Sequence, residues 1–193
     1  MGWTFRNVDA HRERAAMTLV ETYLPGVFLA EPVRVPDRRG FFARLYDEEN
    51  LTTRGIDMRV SQASVAFNEA LSTLRGLHFQ DAPYGETKII RCTAGAIYDV
   101  VADLRRDSIT LHRWVSFELS SANLTSVIVP PGCAHGYLTL TPEAEVSYLI
   151  SAPYVEDAQR GIRWDDPTLR ITWPTTPREI SERDASLPLL GAS

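Results

Sequence analysis

The sequence predicts an all-β fold: a jelly roll with short peripheral helices and an extended C-terminal tail. Three observations predict it. Strand-like runs recur about every eight to twelve residues from Leu19 to Ile150. Glycine and proline punctuate them. No helical segment alternates with them, which argues against a parallel βαβ sheet and for an antiparallel barrel or sandwich.

The elements follow in order. Residues 1–17 are polar and mixed in charge, with Arg6, Arg12 and Arg14, and read as a flexible leader to a single domain spanning 18–193. Val27-Phe28-Leu29 and Val33-Arg34-Val35 read as short strands, and Pro36-Asp37-Arg38-Arg39-Gly40 as a turn leading into Phe41–Tyr46. Asp47 to Gly55 has the start and stop signals of a short helix. Strand patterns return at Met58–Phe67, Leu74–Gln80, Lys88–Cys92 and Gly95–Leu104. In the last of these, Tyr98, Val100 and Ala102 share one face, and Ile97, Asp99, Val101 and Asp103 the other. Trp114–Leu119, Ser126–Val129, Ala134–Leu140 and Val146–Ile150 complete the set, with Pro130-Pro131-Gly132 as a hard turn. The segment from Ile162 to Leu190, rich in Trp, Pro and Asp, is expected to wrap the barrel as extended chain.

Composition narrows the function. A chain of 193 residues with 44% hydrophobic and 23% charged residues is an ordinary globular domain. A net charge of -5 gives no field that would favour DNA or RNA, so an anionic ligand must be caught by a local arginine cluster. No apolar run approaches the length of a membrane span. The two cysteines, Cys92 and Cys133, lie in apolar strand-like runs without zinc spacing, which suggests buried free thiols and a reducing, cytoplasmic setting.

The chemistry concentrates in Leu74-Arg75-Gly76-Leu77-His78-Phe79-Gln80 and in Lys88, the only lysine of the chain. Strict alternation would send Arg75, Leu77 and Phe79 to one face of a strand and Gly76, His78 and Gln80 to the other. A lysine in a chain that otherwise uses arginine suggests a place where a compact point charge is needed beside a single oxygen. A double-stranded β-helix encloses a pocket lined by inward-facing positions of several strands. The polar residues on otherwise apolar strands, His78, Gln80, Lys88, His135 and Tyr148, together with Asp99, Asp103 and Asp184, are the candidates to line it. Taken singly, each has a plainer reading as a hydrogen-bonded core or rim residue. The metal site that many jelly-roll barrels build from three histidines and a glutamate would need a second histidine two positions from His78, where Gln80 stands, and His78, Gln80 and His135 lack the usual carboxylate neighbour.

These residues bring the chain close to a known family. It resembles the dTDP-4-dehydrorhamnose 3,5-epimerases, sugar-nucleotide epimerases with a cupin-like jelly roll, over roughly Leu19 to Leu190. The landmarks occur in order: Asp37–Phe42, Leu74–Gln80, Lys88, Gly95–Val100, Asp103-Leu104-Arg105, Pro131–Tyr137, Tyr148, Gly161–Pro167, Ile171–Pro174 and Ser181–Asp184. The resemblance implies that His78 is the general base, oriented and made more basic by Asp184, and that Tyr148 is the general acid on the opposite face of the sugar. It implies that Lys88 and Arg75 stabilise the negative charge of an enolate and that His135 lines the pocket. Arg39 and Phe41 match residues that hold the nucleotide, usually across a homodimer interface. Gln62, Gln80 and Arg44 complete the candidate substrate-binding set. No metal or organic cofactor is implied; the implied partners are a nucleotide-sugar substrate, most readily dTDP-linked, and a second copy of the chain.

The residue types suit that chemistry. A C4 ketone acidifies the protons at C3 and C5; a neutral histidine takes one, and an aspartate on its other nitrogen supports the imidazolium. A single ammonium beside the oxygen stabilises the enolate. Reprotonation from the other face inverts the carbon. The chain also departs from the family pattern. The run Ser61–Asn68 differs from the common Gln-Asp-Asn segment, Arg44 stands where many members carry an acidic residue, Leu149 follows Tyr148 where lysine is frequent, and Cys133 replaces a common phenylalanine. Inversion at C3, at C5 or at both stays open, as do a 3,4-ketoisomerase and a non-catalytic sugar-nucleotide-binding barrel.

Overall fold

The computed structural model describes residues 17–191. The predicted leader therefore lies outside the described residues, except that Met17 is already buried as the first residue of strand β1 (Met17–Glu21). β1 pairs antiparallel with β2 (Phe28–Pro32). The expected strand at residues 33–35 is displaced, because the chain leaves β2 at Pro32 and next pairs as a small ribbon, β3 (Val35–Asp37) with β4 (Gly40–Phe42). Helix α1 (Glu48–Thr53) is capped by Asp47, whose carboxylate accepts from the Asn50 backbone N–H, and buries Leu51 beneath it.

The barrel proper runs through β5 (Gln62–Asn68), β6 (Thr73–Gln80), β7 (Lys88–Ala94), β8 (Ala96–Asp103), β9 (Trp114–Ser120), β10 (Ser126–Val129), β11 (Cys133–Thr139) and β12 (Ala144–Ile150). One sheet has the order β1-β2-β10-β7-β12-β5. The other contains β6-β11-β8-β9 and is extended at β6 by β13 (Gln159–Gly161), while the short β14 (Glu179–Ile180) also pairs with β6. From β5 to β8 and again from β9 to β12 the chain passes back and forth between the two sheets, as a double-stranded β-helix requires. Helix α2 (Glu182–Ala185) follows β14.

Apolar residues sort into three clusters. Ile90, Ile97, Val101, Val127, Val129, Tyr137 and Val146 fill the space between the sheets. Met17, Phe28, Leu51, Met58 and Ile128 fill the space beneath β1 and α1. Leu77, Val100, Ala102 and Ala134 face outward under the tail, which covers them with Ile162, Leu169, Ile171 and Trp173. Burial on both faces explains why β8 and β11 read as nearly continuous apolar runs.

One departure from regular pairing shapes the interior. His78 pairs with His135 and Arg75 with Tyr137, so Gly76 and Leu77 together oppose Gly136 alone. Gly76 has φ +120°, and a Cβ there would lie 2.5 Å from Gly136 Cα and 2.8 Å from His135 O. Only glycine fits. The extra residue reverses the alternation, so Arg75 and His78 line the same cavity instead of opposite faces, while Leu77 remains on the outer side.

Candidate active site

The cavity inside the barrel has a volume of about 220 Å³. Lys88, Tyr148 and Gln62 reach it from the neighbouring strands β7, β12 and β5, where Lys88 and Gln62 both pair with Ile150. Arg75, His78, His135 and Tyr137 reach it from β6 and β11 in the opposite sheet. His78 and Tyr148 thus stand on facing walls of one chamber.

His78 is held from behind by the tail. Ser181 caps α2 by accepting from the Asp184 backbone N–H, which fixes a buried Asp184 against β6. One carboxylate oxygen of Asp184 lies 2.7 Å from His78 Nε2, and the other accepts from the Gly76 backbone N–H at 3.0 Å. Burial pushes the Asp184 carboxyl up, but the hydrogen bond and charge of His78, with the Gly76 N–H, outweigh it and hold the group below the usual carboxylate range. An ionised carboxylate only accepts, so Nε2 carries the proton and Nδ1 keeps the basic lone pair.

Tyr148 lies on the other wall, its ring 6.1 Å and nearly perpendicular to that of His135. Burial pushes its phenol well above the ordinary tyrosine value, and the neighbouring Tyr137 and Asp99 push the same way. Its hydroxyl therefore stays protonated and can donate. Beneath it, Tyr137 donates to Asn68 Oδ1 at 3.2 Å, and Arg75 Nε donates to the same oxygen at 2.8 Å. His135 Nε2 lies 2.7 Å from Asp99, whose second oxygen is buried without a hydrogen-bond partner. Lys88 Nζ is 2.8 Å from Glu86 and 3.4 Å from the His78 carbonyl.

The other sequence-predicted residues fall elsewhere. Gln80 is buried beside the cavity, not in its lining, and its amide ties together the Tyr84 carbonyl, Glu86, the Pro153 carbonyl and the Val155 N–H. Arg39 and Phe41 sit on the exposed β3–β4 ribbon, Arg39 paired with Asp37 and Phe41 under the Arg34 guanidinium. Arg44 pairs with Asp47 at the start of α1. None of these four is among the residues lining the single-chain cavity. Sequence reasoning missed Glu86, Tyr137, Ser64, Tyr154 and Gln159, which do line it. The Glu86-x-Lys88 spacing was the one legible signal, since it puts both side chains on one side of an extended chain. Among the described residues, no three His, Cys, Asp or Glu side chains group closely enough to hold a metal, and no helix is long and apolar enough to cross a membrane.

Comparison with known proteins adds to this geometry. Residues 21–192 match the family model for dTDP-4-dehydrorhamnose 3,5-epimerase. A curated dTDP-4-dehydrorhamnose 3,5-epimerase of Sinorhizobium fredii is 39% identical over 178 residues, covering 89% of this chain and 91% of that protein. The structure of a dTDP-4-dehydrorhamnose 3,5-epimerase from Bacillus anthracis with TDP and PPi bound superimposes with a TM-score of 0.87 at 41% identity, covering 91% of this chain and 100% of that one. That of a 3'-monoepimerase from Streptomyces bikiniensis in complex with dTDP-quinovose gives 0.82 at 32% identity, with 89% and 87% covered.

Proposed function

The chain belongs to the dTDP-4-dehydrorhamnose 3,5-epimerase family, and from that membership we propose how its residues divide the work. The protein is an epimerase acting on a nucleotide-linked 4-keto-6-deoxyhexose. His78 Nδ1 removes the proton next to the C4 ketone. Asp184 fixes the tautomer and supports the imidazolium. Lys88 and Arg75 face the developing enolate oxygen. Tyr148 delivers a proton to the other face of the same carbon.

The observation that carries this reading is the position of His78 and Tyr148 on facing sheets of one cavity, with Lys88 in its wall. Inversion demands a base and an acid on opposite sides of the ring, and two groups on one wall would only exchange the proton with retention. The depressed carboxyl of Asp184 and the raised phenol of Tyr148 suit an orienting anion and a proton donor respectively.

The nucleotide we assign is dTDP, in keeping with the ligands named for the related structures. The β3–β4 ribbon, with Arg39 and Phe41 exposed, fits an arm that reaches the nucleotide in a second copy of the chain, making the working form a homodimer. The two buried free cysteines suit the cytoplasm.

The test is incubation with dTDP-4-dehydro-6-deoxyglucose, and with CDP and GDP counterparts, in D₂O. Deuterium is expected at C3, C5 or both, with product stereochemistry read by NMR. Absence of exchange with every nucleotide, or an unimpaired His78→Ala variant, would refute the reading.

A further inference from the structure

The catalytic ammonium does not stand alone in the cavity wall. Glu86 lines the same cavity, and its side chain and that of Lys88 are only 10% and 12% exposed. Glu86 Oε1 lies 2.8 Å from Lys88 Nζ, and Glu86 Oε2 accepts from Gln80 Nε2 at 2.9 Å. The Gln80 amide cannot turn over. Its Oε1 accepts from the Val155 N–H at 2.7 Å, and its Nε2 also faces the carbonyls of Tyr84 and Pro153 at 3.0 and 3.2 Å. Gln80 must therefore present a donor to residue 86, and Lys88 presents another.

A side chain at position 86 has to accept at both ends. A carboxylate does; a glutamine has one acceptor and one donor, so either orientation sets a donor against a donor. Asp would be one methylene short. We propose that Glu86 is a positioning residue for the epimerisation: anchored by Gln80, it holds the Lys88 ammonium at the cavity wall and supplies its counter-charge. An ammonium has three N–H donors. Glu86 and the His78 carbonyl take two, which leaves the third for the substrate oxygen. The chain 80–86–88 thereby transmits the rigidity of three backbone segments to one charged atom, the kind of support that keeps a catalytic group within a fraction of an ångström of its working place.

This inference rests on the epimerase reading above, but part of its test does not. Because the chain has one lysine, protein labelled with ¹⁵N-lysine gives a single side-chain ammonium signal. In the wild-type protein at mildly acidic pH that signal is expected to be ordered and protected from solvent exchange. In Glu86→Gln it is expected to become mobile and broaden, while backbone amide signals of the barrel persist. In Glu86→Asp the signal should be intermediate. With dTDP-4-dehydro-6-deoxyglucose in D₂O, Glu86→Gln should lower kcat for exchange about 10- to 100-fold, the range expected for a lost hydrogen bond to a charged group, with KM within about threefold. The loss should vanish in a Lys88→Ala background.

An unchanged lysine signal in Glu86→Gln, wild-type kcat in that variant, or an equal loss in the Lys88→Ala background would each overturn the proposal. If Glu86→Gln does not fold, the lysine signal of Glu86→Asp decides: a wild-type signal there overturns it. A wild-type protein that catalyses no exchange would refute the epimerase reading and with it the catalytic role of Glu86. An ordered lysine signal lost in Glu86→Gln would still establish the tether, so the two failures differ.

Discussion

Replacing Asp184 by asparagine changes almost no volume and removes one property, the ability to accept at both oxygens. In the native site one oxygen is 2.7 Å from His78 Nε2 and the other takes the Gly76 N–H at 3.0 Å. An asparagine can keep its oxygen on Gly76 and turn its amide toward His78. Its N–H then donates to Nε2, the ring proton moves to Nδ1, and the cavity faces an N–H where it needs a lone pair. The opposite orientation leaves the Gly76 N–H facing an amide donor in a buried place. The first outcome inverts the tautomer, which in a catalytic imidazole costs on the order of 10⁴ in rate, and the loss of general-base action alone costs about 10²–10⁴. The second destabilises the fold by about 1–3 kcal/mol. Deuterium wash-in at C3 and C5 measures the chemistry, and urea unfolding measures stability separately. Because the Asp184 carboxyl is held below its usual range, its contribution to stability is complete above the unfolded pKa of about 3.9 and is lost as pH falls through the lower folded value. The part of the stability gap between wild type and Asp184→Asn that comes from the Asp184 carboxylate should therefore close only in strong acid. An Asp184→Asn variant that exchanges within about tenfold of wild type would show that the carboxylate does not set the imidazole's tautomer.

The remaining predictions test other parts of the same site. Tyr148→Phe should keep proton abstraction, read as deuterium exchange, within about tenfold while net inversion, read by product NMR, falls by about 10²–10⁴; equal losses in both would deny it a separate role as acid. Gly76→Ala forces a Cβ onto Gly136 Cα at 2.5 Å in a backbone with φ +120°, and should cost about 3–5 kcal/mol in urea unfolding or prevent folding; a loss below 1 kcal/mol would mean the bulge relaxes freely. Arg39→Ala, on the exposed ribbon, should raise KM for the nucleotide sugar about 10- to 100-fold with kcat within about threefold, and unchanged KM would remove the ribbon from nucleotide binding.

The strands were legible because the barrel buries one or both faces of each, and their apolar patterns follow directly. α1 was legible because Asp47 carries its capping signal in the sequence. The face assignment of β6 failed for a local reason: period-2 reading presumes one residue opposite one, and the bulge at Gly76 and Leu77 puts two opposite Gly136. Gln80 keeps the parity of His78, yet its amide is drawn to the loops around Tyr84 and Pro153, whose proximity no local pattern encodes. Asp184 lies 106 residues from His78, and only the family resemblance linked them. Arg39, Phe41 and Arg44 were named on resemblance too, and the single chain keeps them outside the cavity.

The charges around the cavity explain that last separation. Asp184 faces His78, Asp99 faces His135, and Glu86 faces Lys88. Arg75 alone of the lining cations bonds only neutral groups, Asn68 Oδ1 and the Phe67 carbonyl. A wall with so little surplus positive charge suits an uncharged keto sugar and would hold a diphosphate poorly. It also suits the proposed reaction, in which proton transfer would create an imidazolium already facing a carboxylate and an enolate facing Lys88 and Arg75, so each new charge would have its counter-charge before it forms. The diphosphate of the dTDP-linked substrate proposed above would then find its cations beyond this wall. The exposed ribbon carries Arg39, paired there with Asp37 but largely open to solvent, and the aromatic Phe41, residue types that suit a nucleotide, and places both outside its own chain's cavity. The proposed division of labour, in which one chain binds the sugar and another's ribbon binds the nucleotide, accords with where these charges stand.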